Sequence, residues 1–258
     1  MNYTKLGGIS IIPIELFWEK GVDRRSIEIV SEAIRNLRRI TTSNLEVALM
    51  GHGPRENPMF IDDLLESSML ENGTVDANEF LAKLTTEFLT NKLMQKKRDL
   101  NPTIVISRRH IRTEKENFLF GATEKPIKIL PSEYSSVRLE ARIATILSTH
   151  HFMKSYEKNW ELPFLLITYH EIGHLFGAPR SNRTDLEDLI GKHCRNRNCA
   201  MEQVNVNGKL DALEKVKYVD LDSPYCNQCL EDIRIGITSW KKLKEKLKAS
   251  DGRDELQS

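Results

Sequence analysis

The eight residues "HEIGHLFG", His170 to Gly177, constrain this chain more than any other stretch, because they fix both a helix and the point to which that helix directs its side chains. Residues four apart share one helical face, so His170 and His174 aim two imidazoles at a single locus. Glu171 sits about 100° round the helix from His170 and can reach that locus without occupying it. Gly177 ends the helix and admits the positive backbone angle that turns the chain back. Two histidines so placed suit a zinc ion, and a carboxylate beside them suits a general base acting on water. The rivals are a packed helix that carries the pattern by accident and a site that binds metal without catalysis.

A catalytic zinc of this type takes three protein ligands. Three residues past Gly177, where a third histidine would complete the set, stands Arg180. The seven histidines are residues 52, 110, 150, 151, 170, 174 and 193. Of these, His193 directly precedes Cys194 in "HCRNRNCAM". Cys194 and Cys199 are separated by four residues, and Cys226 with Cys229 forms "CNQC". Four thiolates paired in this way suit a tetrahedral structural zinc; in a reducing compartment disulfides are disfavoured. Asp185, Glu187 and Asp188 remain alternatives to His193 as the third ligand, since carboxylates also bind zinc. His150 and His151 fit a helix surface or a satisfied core position, or the support of a ligand.

These residues resemble the archaemetzincins, whose signature joins HExxHxxGxxH to a cysteine directly after the last histidine, a second cysteine and a methionine soon after, and a later CxxC. The matching residues are His170, Glu171, His174, Gly177, His193, Cys194, Cys199, Met201, Cys226 and Cys229, and the likeness spans roughly residues 164 to 232. The departure is an insertion: His193 lies sixteen residues past Gly177 instead of three, and the gap from Met201 to Cys226 also looks long. The resemblance implies a metzincin-like α/β fold, with a twisted mixed sheet of four or five strands, two long helices and a small zinc-stabilised C-terminal lobe. It implies two zinc ions: a catalytic one on His170, His174 and His193, and a structural one on Cys194, Cys199, Cys226 and Cys229. Met201 would be the Met-turn residue beneath the catalytic ion. The activity implied is a metallopeptidase that hydrolyses peptide bonds by a zinc-activated water, with Glu171 as general base.

The rest of the chain is compatible with that architecture. Its 258 residues suit one catalytic domain, which we divide into an upper lobe over 1–177, a lower lobe over 178–235 and a C-terminal helix and tail over 236–258. "ISIIPIELF" at 9–17, helical spacing over 24–39 and "LEVALM" at 45–50 give a β-α-β opening and a partly parallel sheet. Residues 51–77 read as a surface excursion around a short helical patch, and 79–97 as a helix. "NPTIVISRRHI", "NFLFGAT" and "IKIL" read as strands, and a helix is expected over about 134–153 through Val137, Ala141, Ala144 and Leu147. The motif helix is expected to begin near Pro163. Thr184 and Gly191 look like the cap and stop of a short helix inside the insertion. Trp240, Leu243 and Leu247 form the apolar stripe of a lysine-rich final helix.

With 38 basic and 37 acidic residues, the formal charge of +1 offers no global field for nucleic acid or anionic lipid. No apolar run reaches the roughly 18 residues of a membrane span. The start of the chain lacks the apolar run and cleavage site of a signal peptide, so a cytoplasmic protein acting on a peptide or protein substrate is expected. Arg180, Arg183, Lys192, Arg195 and Arg197 crowd the motif; they read as solvated loop charge, or as an attraction for acidic substrate groups. A regulatory peptidase dedicated to one partner and an inactive zinc-stabilised binding module remain the alternatives. Tyr218 and Tyr225 are the nearest candidates for stabilising a transition state. The sequence does not speak to oligomeric state.

Overall fold

The structure, a computed structural model, describes residues 11–53, 60–88, 100–113, 120–123, 127–129, 139–188, 192–204 and 212–254. In chain order the elements are β1 (Ile12–Trp18), α1 (Arg24–Thr41), β2 (Leu45–Gly51), α2 (Phe60–Ser67), β3 (Val75–Asp76), α3 (Ala77–Phe88), β4 (Thr103–Ser107), β5 (Ile111–Arg112), β6 (Gly121–Thr123), β7 (Ile127–Ile129), β8 (Leu139–Ala141), β9 (Ala144–Ser148), α4 (His150–Ser155), α5 (Glu161–Leu175), β10 (Leu186–Asp188), β11 (Lys192–Cys194), α6 (Ala212–Lys215) and α7 (Asn227–Asp254).

The main sheet has five strands in the order β2-β1-β4-β9-β6. Its first four strands run parallel, and β6 closes one edge antiparallel to β9. The inner strands β4 and β9 are buried at every position, as is nearly all of β1. Strands covered on both faces read as unbroken apolar runs rather than as alternation. Helix α1 is capped by the Asp23 carboxylate, which accepts from the Ser26 amide at 3.0 Å, and it buries Ile29, Val30, Ala33, Ile34 and Leu37. It packs on β2, α5 and α7, while α5 lies against β6 and β9 and so carries the histidine motif over the antiparallel edge of the sheet.

The mixed five-stranded sheet agrees with the sequence, and three local expectations are corrected. The helix expected over about 134–153 is instead β8, β9 and the short α4, with 130–138 outside the described residues. The apolar residues of "IATIL" form a short buried run, whose periodicity does not separate strand from helix, and pairing with both β4 and β6 decides for strand. The helix expected after Thr184 is β10, paired antiparallel with β11. Fewer than two turns lie between Thr184 and Gly191, too few to sustain a helix alone, whereas the hairpin supplies backbone partners across the strand pair. The final helix begins at Asn227, before the 236–258 span expected for it, and buries Trp240 and Leu243; the side chain of Leu247 lies outside the described residues. Residues 89–99, which include the end of the expected 79–97 helix, also lie outside them.

Candidate metal centres

Along a strand, successive side chains point to opposite faces. His193 and Cys194 are neighbours on β11, where Glu187 pairs opposite His193 and Leu186 opposite Cys194. One residue therefore faces the motif helix and the next faces away. His193 meets His170 and His174, and Cys194 meets Cys199, Cys226 and Cys229; in each group the ligand atoms lie within 4.8 Å of one another.

Two of the three imidazoles are held as acceptors. His170 Nδ1 donates to the Ala200 carbonyl at 2.8 Å, and His174 Nδ1 donates to the Ala178 carbonyl at 2.8 Å. With those protons fixed on Nδ1, both Nε2 atoms carry lone pairs. Yet His174 Nε2 stands 3.1 Å from His170 Nε2 and 3.3 Å from His193 Nε2. Lone pairs held that close repel unless a cation lies between them. Two nitrogens bound to one tetrahedral zinc stand about 3.3 Å apart, given Zn–N distances of about 2.05 Å, so the donor set fits the ion. Burial, with His193 close by, holds His170 down at about 3, and burial with both neighbouring imidazoles holds His174 well below its usual value. Both are therefore neutral and ready to ligate at pH 7.

Glu171 is buried beside this cluster and outside it. The Thr123 hydroxyl on β6 donates to Glu171 Oε2 at 2.6 Å. Burial pushes the carboxyl up to about 7, against the lowering effects of that hydrogen bond and of the Arg142 guanidinium. Arg142 itself donates to the His174 carbonyl at 2.9 Å. Glycine makes the room for both sides of the motif. A Cβ at Gly121 would stand 2.5 Å from Glu171 Cγ, and one at Gly173 would stand 2.2 Å from Met201 Sδ. Met201 is fully buried under α5, next to Ala200 whose carbonyl orients His170. Tyr225 is buried too, with its hydroxyl donating to the Tyr169 carbonyl at 2.7 Å, and Tyr218 lies under the Arg197 guanidinium, 3.6 Å from ring centroid to Cζ.

The four cysteines are free thiols. Cys194 Sγ and Cys226 Sγ stand 3.8 Å apart, the spacing of two sulfurs on one tetrahedral zinc with Zn–S distances of about 2.3 Å. Backbone amides point at the sulfurs: Asn196 N at Cys194, and Met201 N and Cys226 N at Cys199, each at 3.4 Å. Such donors favour the thiolate that a metal needs. Without a metal, sharing of hydrogen bonds within the cluster draws Cys194 down to about 7 and Cys226 lower, and pushes Cys199 and Cys229 up.

The remaining candidates do not join the clusters. The Asp185 carboxylate accepts from Nε and Nη2 of Arg183, and Glu187, although paired with His193 on the same face of the hairpin, is not among the clustered ligand atoms; the side chain of Asp188 lies outside the described residues. His110 and His150 stack and His151 meets both edge-on, ring centroids 4.7 to 5.8 Å apart, beyond the carboxyl ends of β4 and β9. Of the five basic residues, Arg180 and Arg195 are exposed, Lys192 donates to the Ser181 carbonyl at 2.9 Å, and Arg183 turns inward. Thr123, Arg142 and the clearances at Gly121 and Gly173 could not be read from the sequence; "NFLFGAT" signalled a strand but not which residue of it would face Glu171.

No family model matches the chain, and no curated protein matches it. Among solved structures it is similar to a zinc-dependent peptidase from Methanocorpusculum labreanum, at 18% identity and a TM-score of 0.53 over 85% of this chain and 99% of that one. It is also similar to archaemetzincin from Methanopyrus kandleri, at 15% identity and a TM-score of 0.51 over 88% of this chain and 96% of that one. Archaemetzincin from Archaeoglobus fulgidus, solved with malonate, gives 15% identity and 0.51 over 86% and 99%. The chain has the archaemetzincin fold.

Proposed function

We propose that this chain is a zinc metallopeptidase with two zinc ions, a catalytic one held by His170, His174 and His193 and a structural one held by Cys194, Cys199, Cys226 and Cys229. The observation that carries the reading is Glu171: a buried carboxylate stands beside three converging imidazoles and takes no part in their cluster. A purely architectural site has no use for such a group. A zinc ion in the histidine set supplies Lewis-acid polarisation of a peptide carbonyl and acidifies water. Glu171 accepts the proton of the attacking water and returns it to the departing amine. Thr123 fixes the orientation of Oε2 through its hydroxyl, and the missing side chain of Gly121 leaves room for the Glu171 side chain beside it. Met201 serves as the apolar floor, and the substrate is a peptide or an unfolded protein segment.

In this reading residues 1–177 form the upper catalytic lobe, 178–235 the lower lobe, and 236–258 the C-terminal helix and tail, and the protein works in the cytoplasm. Among the described residues no helix is long and apolar enough to cross a membrane. The test is cleavage of a diverse peptide library, read by mass spectrometry, by the zinc-loaded protein and by Glu171→Gln. The expected result is cleavage by the first and a loss of about 10² to 10⁴ in rate for the second at unchanged zinc content. Equal rates would remove Glu171 from the chemistry, and no cleavage by either would favour a partner-specific enzyme or a zinc-built binding module.

A further inference from the structure

Four thiolates around a divalent ion leave a net charge of about −2, and three of the four sulfurs here belong to fully buried residues. Such charge is retained only where donors face it. Backbone amides supply several, and one side chain supplies two more. Arg183, on the segment inserted between Gly177 and His193, sends Nη1 to Cys229 Sγ at 3.2 Å and Nη2 to Cys194 Sγ at 3.7 Å. The same guanidinium pairs with Asp185 ahead of β10 and with Asp232 on α7, the latter at 2.9 Å, and Nη2 also donates to Gln228 Oε1 at 3.2 Å. Its side chain is only 11% exposed. The planar fork has five donors in fixed directions, which is what spanning two sulfurs and two carboxylates at once requires.

We propose that Arg183 is the clasp of the four-cysteine centre, a positioning residue that binds one sulfur from each cysteine pair and so sets how firmly the centre keeps its metal. This rests on the reading of the four cysteines as a zinc site. Asp185 and Asp232 aim the fork; Cys194 and Cys229 receive it. Because Cys194 is adjacent to His193 on β11, the clasp also steadies the hairpin that presents His193 to the motif histidines. The inserted segment thereby carries a donor to the cysteine cluster from outside the two cysteine pairs.

The experiment loads cobalt(II) in place of zinc in the full-length protein and records the sulfur-to-cobalt charge-transfer band, which reports donors on the sulfurs and not global stability. In Arg183→Gln the band shifts to lower energy, since thiolate lone pairs that lose N–H donors rise, and cobalt affinity at the cysteine site falls about ten- to hundredfold. Arg183→Lys keeps the charge without the fork and gives a smaller shift in the same direction. Arg180→Gln, in an exposed neighbour, leaves the band in place. Should Arg183→Gln not fold, Arg183→Lys carries the test alone. A normal wild-type band that is unmoved in the folded Arg183 variants, or equally moved by Arg180→Gln, overturns the proposal. Absence of the band from the wild-type protein overturns the four-cysteine reading together with it.

Discussion

At the scale of single residues, the histidine cluster is built from conflicts that a metal ion would resolve. Three imidazole nitrogens face one another at close range, and a carboxylate is buried near an arginine with which it forms no direct ion pair. The second conflict gives a pH signature in the metal-free protein. The folded pKa of Glu171 is raised to about 7, above its unfolded value, so the folded state holds its proton more tightly. Its contribution to stability therefore declines as pH rises from the unfolded pKa through the folded one. Glu171→Gln removes the ionisable group, and the metal-free variant should gain more melting temperature over wild type at pH 8 than at pH 5, read by circular dichroism. An equal gain at both values would mean that the Glu171 carboxyl is not held in a buried environment. Clearance offers a separate test. In Gly121→Ala the new Cβ displaces Glu171 by contact with Cγ, so peptidase activity should fall at least about tenfold while zinc content and secondary structure stay unchanged. Wild-type activity in that variant would show that the carboxylate does not use this space.

At the scale of elements, the motif helix was legible from "HEIGHLFG" because its signals are local: a four-residue spacing and a terminating glycine, which adopts φ +83°. Helix α1 was equally legible from the helical spacing of its apolar residues. The strand β9 was not, since what makes it a strand is its place between β4 and β6, and nothing in "IATIL" records those partners. The hairpin β10–β11 was hidden for the same reason, its partner lying across three residues that look like a helix stop. The approach of α7 to the end of α5 was also invisible in sequence, although a glycine marks it. A Cβ at Gly236 would stand 1.8 Å from the Phe176 backbone oxygen. Backbone cannot rotate away as a side chain can. Gly236→Ala should therefore separate the two helices and cost about 1 to 3 kcal/mol, measured by chemical denaturation. A change below a few tenths would contradict the packing of α7 against Phe176.

At the scale of the whole molecule, the three-histidine and four-cysteine clusters meet on one dipeptide. The strand alternation that sends His193 one way and Cys194 the other couples the chemistry of the upper elements to the scaffold that closes beneath them. Resemblance in the sequence pointed to both sets of residues across an insertion of unfamiliar length, and the fold accommodates that insertion as a hairpin leaving the His193–Cys194 pair between the two clusters. What the sequence could not convey was the surrounding support, from Thr123, Arg142, Ala178, Ala200 and Arg183, because those contacts depend on tertiary approach. The two-centre reading is open to a direct count of zinc ions by native mass spectrometry on the wild-type protein and on His193→Ala. Two ions are expected in the first and one in the second, with the remaining ion held by the cysteines. Two ions retained in His193→Ala, or fewer than two in the wild-type protein, would contradict that reading.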